Sequence, residues 1–217
     1  MGDRAALCTL TGVEKGYGAF TLGPLSLTVY AGEILGLRGA NGAGKSTLLA
    51  LLAGALRPDR GERVLVPEAA GQIAIVPQEL SLYDTLTVLD NLRFWGLAQG
   101  LPRRAVEARS RWLLEALGLS DRGRQPVSAC SGGMKRRAHL ATALMTTPRL
   151  LLLDEPTVGA DQPSVERMLA LLKHFARQGC GIVLISHQAG ELARVSSRIL
   201  TLEAGRPTPG EEGLWQV

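Results

Sequence analysis

Over residues 5–38 apolar and polar positions alternate in short runs, 7–13, 25–30 and 33–37, cut apart by turns bearing Gly and Pro. Alternation of this period predicts strands with one buried face. An apolar stretch over 48–56 then follows a loop of small residues and predicts a helix that stops before Arg57-Pro-Asp-Arg-Gly61. Strands are expected again over 63–66 and 72–76. From Thr85 the period changes. Thr87, with Asp90 three residues on, has the form of a helix cap, and a second helix is expected from Pro102 to about Leu117. A third follows Ser131-Gly-Gly133. Strands return over 150–154, 181–186 and 198–202, with a short helix between the last two. Between the first two, Val165, Met168, Leu169, Leu172 and Phe175 draw the apolar stripe of a helix over 164–178, ended by Gly179.

Strands alternating with helices at both ends imply an α/β core with a largely parallel sheet. The middle, about 84–147, is helix after helix and reads as an inserted all-α lobe in a single domain of 217 residues. The core then takes about 1–83 and 148–203, and 204–217 reads as a short polar tail. The longest apolar run near the loop has nine residues, against the roughly 20 that span a bilayer. The N-terminus, with Asp3 and no apolar core, does not read as a secretory signal. A net charge of +4 is a modest basic surplus on an ordinary surface, and no nucleic-acid partner is expected. Three cysteines, Cys8, Cys130 and Cys180, share no metal-ligand spacing and suit a reducing, cytoplasmic setting.

The loop before the first helix reads Gly39-Ala-Asn-Gly-Ala-Gly-Lys-Ser-Thr47. Gly39, Gly44, Lys45 and Ser46 satisfy G-x-x-x-x-G-K-[ST] between a predicted strand and a predicted helix. Glycines let the backbone curl with its N–H groups inward, and the helix start adds positive potential, so the loop is bare because phosphate oxygens fill it. Lys45 is one of four lysines against twenty arginines, and a compact ammonium on a flexible stem suits a phosphate as Arg does not. Farther on, Leu150-Leu-Leu-Leu-Asp-Glu-Pro156 is a strand ending in two carboxylates. Asp154 can hold a magnesium shell, and Glu155 can orient or deprotonate a water. Between them lies Cys130-Ser-Gly-Gly-Met-Lys-Arg-Arg137, a second helix start suited to an anion. Its three cations sit where the helix dipole disfavours them, which a helix end meeting a phosphate would tolerate.

With these motifs in this order the chain resembles the ATP-binding cassette (ABC) family, over about 5–203. GANGAGKST is similar to its Walker A loop, CSGGMKRR to its signature and LLLLDEP to its Walker B strand. Val158-Gly-Ala-Asp161 resembles the D-loop, Gln78 the Q-loop, His187 the switch histidine and Tyr17 the aromatic that stacks on adenine. SGGMKRR, with LYDTLTVLDNL and EPTVGAD, resembles the ABC-2 type exporter subgroup. Cys130 stands where that family usually has Leu, Met134 where Gln is commonest, and Gln162 where Pro is frequent, which suggests a shifted turn after Asp161.

The resemblance implies a P-loop NTPase core with a small antiparallel β-region and a helical lobe. It implies an ATPase whose cofactors are ATP and Mg2+. Tyr17, Gly39, Asn41, Gly42, Gly44, Lys45, Ser46 and Thr47 would hold the nucleotide, and Ser46, Gln78 and Asp154 the metal. Glu155, His187, Lys45 and Gln78 would carry the catalysis. Ser131, Gly132, Gly133 and Asp161 would act across a head-to-tail dimer, expected to be a homodimer. A separate integral membrane permease would dock on the helical lobe and place the chain on the inner face of the membrane. Export is the reading the motifs favour. A soluble cassette ATPase of cofactor assembly and an importer subunit are the alternatives, whereas a small-molecule kinase would lack the Ser-Gly-Gly motif and the D-loop. One hypothesis goes beyond the family: Cys130, before a helix start in a basic setting, is either a thiol of lowered pKa whose alkylation in the open state would block closure of the dimer, or an inert semi-buried thiol.

Overall fold

The computed structural model describes residues 4–208. β1 (Ala6–Tyr17) and β2 (Phe20–Tyr30) form a hairpin, and β3 (Ile34–Gly39) enters the small-residue loop ahead of α1 (Lys45–Ala53). β4 (Arg60–Leu65) and β5 (Ile73–Val76) follow, then three helices, α2 (Val88–Ala98), α3 (Arg103–Ala116) and α4 (Gly132–Ala143). The chain closes with β6 (Leu150–Asp154), α5 (Gln162–Arg177), β7 (Gly181–Ile185), α6 (Ala189–Val195), β8 (Arg198–Glu203) and β9 (Arg206–Pro207).

Two sheets result. The smaller is antiparallel, in the order β2-β1-β4; the larger runs β5-β6-β7-β3-β8-β9, parallel except for β9. A parallel sheet is covered on both faces, so its strands read as continuous apolar runs. The four leucines of β6 show why. Leu151 and Leu153 join Ile182, Leu184 and the helices α2 to α5 in one core. Leu150 and Leu152 join Val183, Ile185, α1 and the small sheet in another. Successive side chains leave a strand on opposite faces, so consecutive leucines serve different cores. α1 has no polar face because it lies in that second core, with Leu48, Leu51 and Leu52 fully buried.

The helices begin as their sequences dictate. Thr87 caps α2 by accepting from Asp90 N at 3.0 Å, and Asp161 caps α5 by accepting from Ser164 N at 3.2 Å. Gln162 is the first helical residue, with Pro163 beside it where no N–H is needed. Two strand boundaries differ from the sequence reading. β1 and β2 run through the glycines taken as breaks, because those positions fall at register shifts between Leu10 and Val13 and between Val13 and Lys15. And Arg206–Pro207, read as tail, pairs with β8 through Leu202↔Pro207. The remainder of the tail lies outside the described residues.

Candidate functional site

In open parallel sheets, ligands lie beyond the carboxyl ends of the strands. β6, β7 and β3 are adjacent here, so the residues just past their ends converge. After β3 the loop turns through Gly42 (φ 78°) and Gly44 (φ 98°), and Gly44 caps α1 without any side-chain hydrogen bond. The first N–H groups of α1 thus have no side-chain acceptor. Lys45 is buried, and its Nζ donates to Gly39 O at 2.8 Å and Ala40 O at 2.9 Å. An ammonium has three protons, so one remains for an anion in the loop. The loop's own carbonyls hold the cation in place.

Across from the loop, Ser46 Oγ donates to Asp154 Oδ2 at 2.7 Å. Glu155, one residue past β6, continues the pairing through its N–H to Ile185 O at 3.1 Å and then turns with a φ of 49°. A non-glycine residue there carries strain of about 1–2 kcal/mol. The turn sets its Oε1 2.7 Å from His187 Nε2. Asn41, Gly42, Gly44, Lys45, Ser46 and Thr47, with Gln78, Asp154, Glu155 and His187, line one cleft of about 710 Å³. Six of those come from the loop and α1 and four from three other segments, so the predicted catalytic and metal residues meet with all the predicted Walker A residues except Gly39, which stays outside the lining and accepts from Lys45. The hydroxyl of Ser46, the carboxylate of Asp154 and the amide of Gln78 are hard oxygen donors of the kind Mg2+ takes.

Other predicted residues lie elsewhere. Tyr17 ends β1, 51% exposed and outside the lining of the cleft. Its register partner, Phe20, does line the cleft and packs on the loop: a Cβ at Gly44 would meet the Phe20 ring at 3.1 Å. Ser131, Gly132, Gly133 and Asp161 form a separate cluster. Ser131 caps α4 by accepting from Met134 N at 3.3 Å, and a Cβ at Gly133 would sit 3.4 Å from Asp161 Oδ1.

The basic run of this cluster is tied to acceptors of its own chain, and the reactive reading of Cys130 is overturned. Lys135 pairs with Asp84 at 3.2 Å, Arg136 donates to the carbonyls of Gln78 and Val158, and Arg137 donates to Leu117 O at 2.7 Å. Cys130 is buried, its Sγ 3.5 Å from Pro126 O, and desolvation pushes the thiol pKa up despite Lys135 and Arg122 nearby. Burial outweighs the local charge.

Besides Phe20, a second residue escaped the sequence reading. Glu191, buried in α6, accepts from Thr157 Oγ1 at 2.7 Å and Ser186 Oγ at 3.0 Å through a single oxygen, Oε2. It therefore cross-braces the turn that carries Glu155 to the turn that carries His187. A charged residue in a short helix four positions after His187 was the available signal, and it is shared by any solvated helix face.

The family model described as "ABC transporter" matches residues 22–158. The linearmycin resistance ATP-binding protein LnrL of Bacillus subtilis (strain 168) is 37% identical over 202 residues, covering 89% of this chain and 65% of that protein. The Nod factor export ATP-binding protein I of Bradyrhizobium diazoefficiens is 38% identical, covering 90% of this chain and 67% of its own. The methionine import ATP-binding protein MetN of Mesorhizobium japonicum is 38% identical, with 89% and 56% covered. The chain thus spans about two thirds or less of the length of these curated relatives. Among solved structures, an ATP-binding subunit of an ABC transporter superposes with a TM-score of 0.82 at 27% identity, covering 97% of this chain and 95% of that one. With the glycine-rich loop, Asp154, Glu155 and His187 meeting in one cleft, and with a family model and relatives of this similarity, the chain carries an ATP-binding cassette and belongs to the ABC transporter family.

Proposed function

We propose that this chain is the ATP-hydrolysing subunit of an ABC transporter and drives a separate membrane permease in export. The observation that carries the reading is the meeting of Lys45, Ser46, Gln78, Asp154, Glu155 and His187 in one cleft. The α1 N–H groups and Lys45 bind the β- and γ-phosphates of ATP. Ser46, Asp154 and Gln78 hold Mg2+, which when bound neutralises charge developing on the phosphates. Glu155 orients water and takes up its proton, and His187, 2.7 Å away, fixes that carboxylate and reaches toward the γ-phosphate. Phe20 or Tyr17 stacks on the base.

The same reading has two chains face head to tail. Ser131, Gly132, Gly133 and Asp161 lie outside their own chain's cleft, which supports their acting on the partner's ATP. For the permease, the segment 84–147 offers a docking lobe. A groove of about 560 Å³ runs between β5 and α4, with Ile75, Trp95 and His139 in its lining. Tyr83, Phe94 and Leu97 stand exposed, and the Tyr83 and Phe94 rings meet edge to face at 4.8 Å. Among the described residues no helix is long and apolar enough to cross a membrane. A peripheral position at the inner face through the permease follows from the docking. Export is favoured by relatives named for resistance and Nod factor export; the import protein MetN supports an importer subunit as the second reading.

The test is Glu155→Gln. ATPase turnover is expected to fall at least about 100-fold while Mg-ATP binding persists. Capture of this variant with Mg-ATP from detergent-solubilised membranes is expected to bring a polytopic protein at near equal ratio. Turnover unchanged by the substitution would remove Glu155 from the catalytic role, and capture of soluble factors alone would end the transporter reading.

A further inference from the structure

Arg136 occupies the second turn of α4 and reaches out of it in two directions. Its Nε donates to Val158 O at 3.2 Å and its Nη1 to Gln78 O. Gln78 lines the cleft of its own chain, whereas Val158 lies in the turn that runs into Asp161 and α5. Among the described residues no backbone hydrogen bond joins these two loops directly. The start of α4 leans on the same turn, since a Cβ at Gly133 would lie 3.2 Å from Ser164 Oγ and 3.6 Å from Ala160 Cα. One guanidinium therefore links a loop of the home cleft to the two segments that lie outside it.

We propose that Arg136 is a positioning residue that makes the two nucleotide sites of the dimer depend on each other; this rests on the head-to-tail arrangement proposed above. When Gln78 shifts toward a nucleotide in its own cleft, the carbonyl of Gln78 moves with it, and Arg136 passes that displacement to α4 and to the 158–161 turn. These are the parts that meet the partner's nucleotide. Gln78 and Val158 are exposed in the single chain, so water competes for the bridge there. Covering them with a second chain removes that competition and strengthens a charge-assisted bridge, so that dimer closure and bridging favour each other. The planar fork of Arg suits two separated acceptors; a Lys ammonium keeps the charge without that geometry. Neither neighbour can substitute, because Lys135 faces Asp84 and Arg137 faces Leu117 and Gly118.

The experiment is steady-state ATPase against ATP concentration for the wild-type chain, Arg136→Ala and Arg136→Lys, with Glu155→Gln as the turnover control. Binding of a fluorescent ATP analogue to dilute chain and the melting temperature are measured alongside. Wild-type turnover is expected to be cooperative, with a Hill coefficient above one and at most about two for two sites. Arg136→Ala is expected to bring it to about one and to lower kcat about ten-fold. Analogue affinity should stay within about two-fold and the melting temperature within about 2 °C, which a merely structural role would not leave in place. Arg136→Lys should fail to restore cooperativity. A wild-type Hill coefficient of one, an unaltered Arg136→Ala, or full rescue by Lys each overturns the inference while leaving the ATPase reading intact. A wild-type chain that hydrolyses no ATP fails the function proposed above, and this inference with it.

Discussion

Gly39 and Gly42 stand three residues apart in one loop and hold their positions for different reasons. A Cβ on Gly39 (φ 152°) would lie 2.3 Å from Leu202 O, inside the backbone of β8. A Cβ on Gly42 (φ 78°) would meet nothing within 4 Å. Gly39→Ala is therefore expected to destabilise the fold by more than about 3 kcal/mol in denaturant titration. Gly42→Ala should cost the fold about 1 kcal/mol and weaken nucleotide binding out of proportion, since the open space is where phosphate oxygens fit. Equal effects of the two on stability would contradict this division. Glu191→Ala should remove the acceptor that the Thr157 and Ser186 hydroxyls share, costing about 1–3 kcal/mol and lowering kcat with the KM for ATP unchanged. Residues of the first kind were legible in the sequence because their chemistry is local: a strand, a curled backbone and a helix start suffice. Glu191 was not, because its role depends on burial and on two hydroxyls reached across 34 and five positions of chain.

Among elements, α4 departs furthest from what its sequence suggested. Its cap at Ser131 and its length follow from local rules, but the targets of Lys135, Arg136 and Arg137 are set by what the fold brings near. Cys130, at its threshold, is expected to react with a thiol reagent more slowly than free cysteine at pH 8, because a raised pKa leaves less thiolate, and Cys180, pushed up to about 12, more slowly still. Rapid labelling of native Cys130 would contradict its burial. His139, on the same helix, is buried with Nε2 accepting from Ser81 N at 3.3 Å. Desolvation first, then Arg136, lowers its pKa from 6.5 to about 4. The unfolded chain takes up this proton below pH 6.5 and the folded chain only near 4. Stability is thus whole above pH 6.5 and falls as pH drops through that window, by up to roughly 3 kcal/mol. Chemical denaturation from pH 7 to 4 reads the slope, and His139→Gln should flatten it. The hairpin β1–β2 teaches the same lesson from the other side: glycines that look like breaks in a sequence become register shifts when a partner strand runs past them.

At the scale of the molecule, the parallel order of the core was legible from the alternation of strand and helix, as was the antiparallel β-region from the family resemblance. Ser131 and Asp161 were legible as motif residues, but the role proposed for them between chains has no counterpart within the chain, where they lie outside the cleft. The apolar face around Tyr83, Phe94 and Leu97 is exposed, and it is the proposed docking surface. Phe94→Asp, at a ring 42% exposed, is expected to leave the melting temperature within about 2 °C and to reduce recovery of a membrane partner about ten-fold. Undiminished recovery would move the docking surface elsewhere.

The strand of four leucines carries one more consequence. Both of its faces look onto apolar cores, so sliding β6 by one residue past β7 would keep every leucine out of water. Compactness would not register the error. The chemistry would, because Asp154 and Glu155 would travel about 3.3 Å and exchange sides, parting from Ser46 and His187. A chain with one leucine gained here is expected to stay folded while losing turnover; a chain with one lost draws Arg149 or Asp154 into a buried leucine position and is expected to lose stability as well.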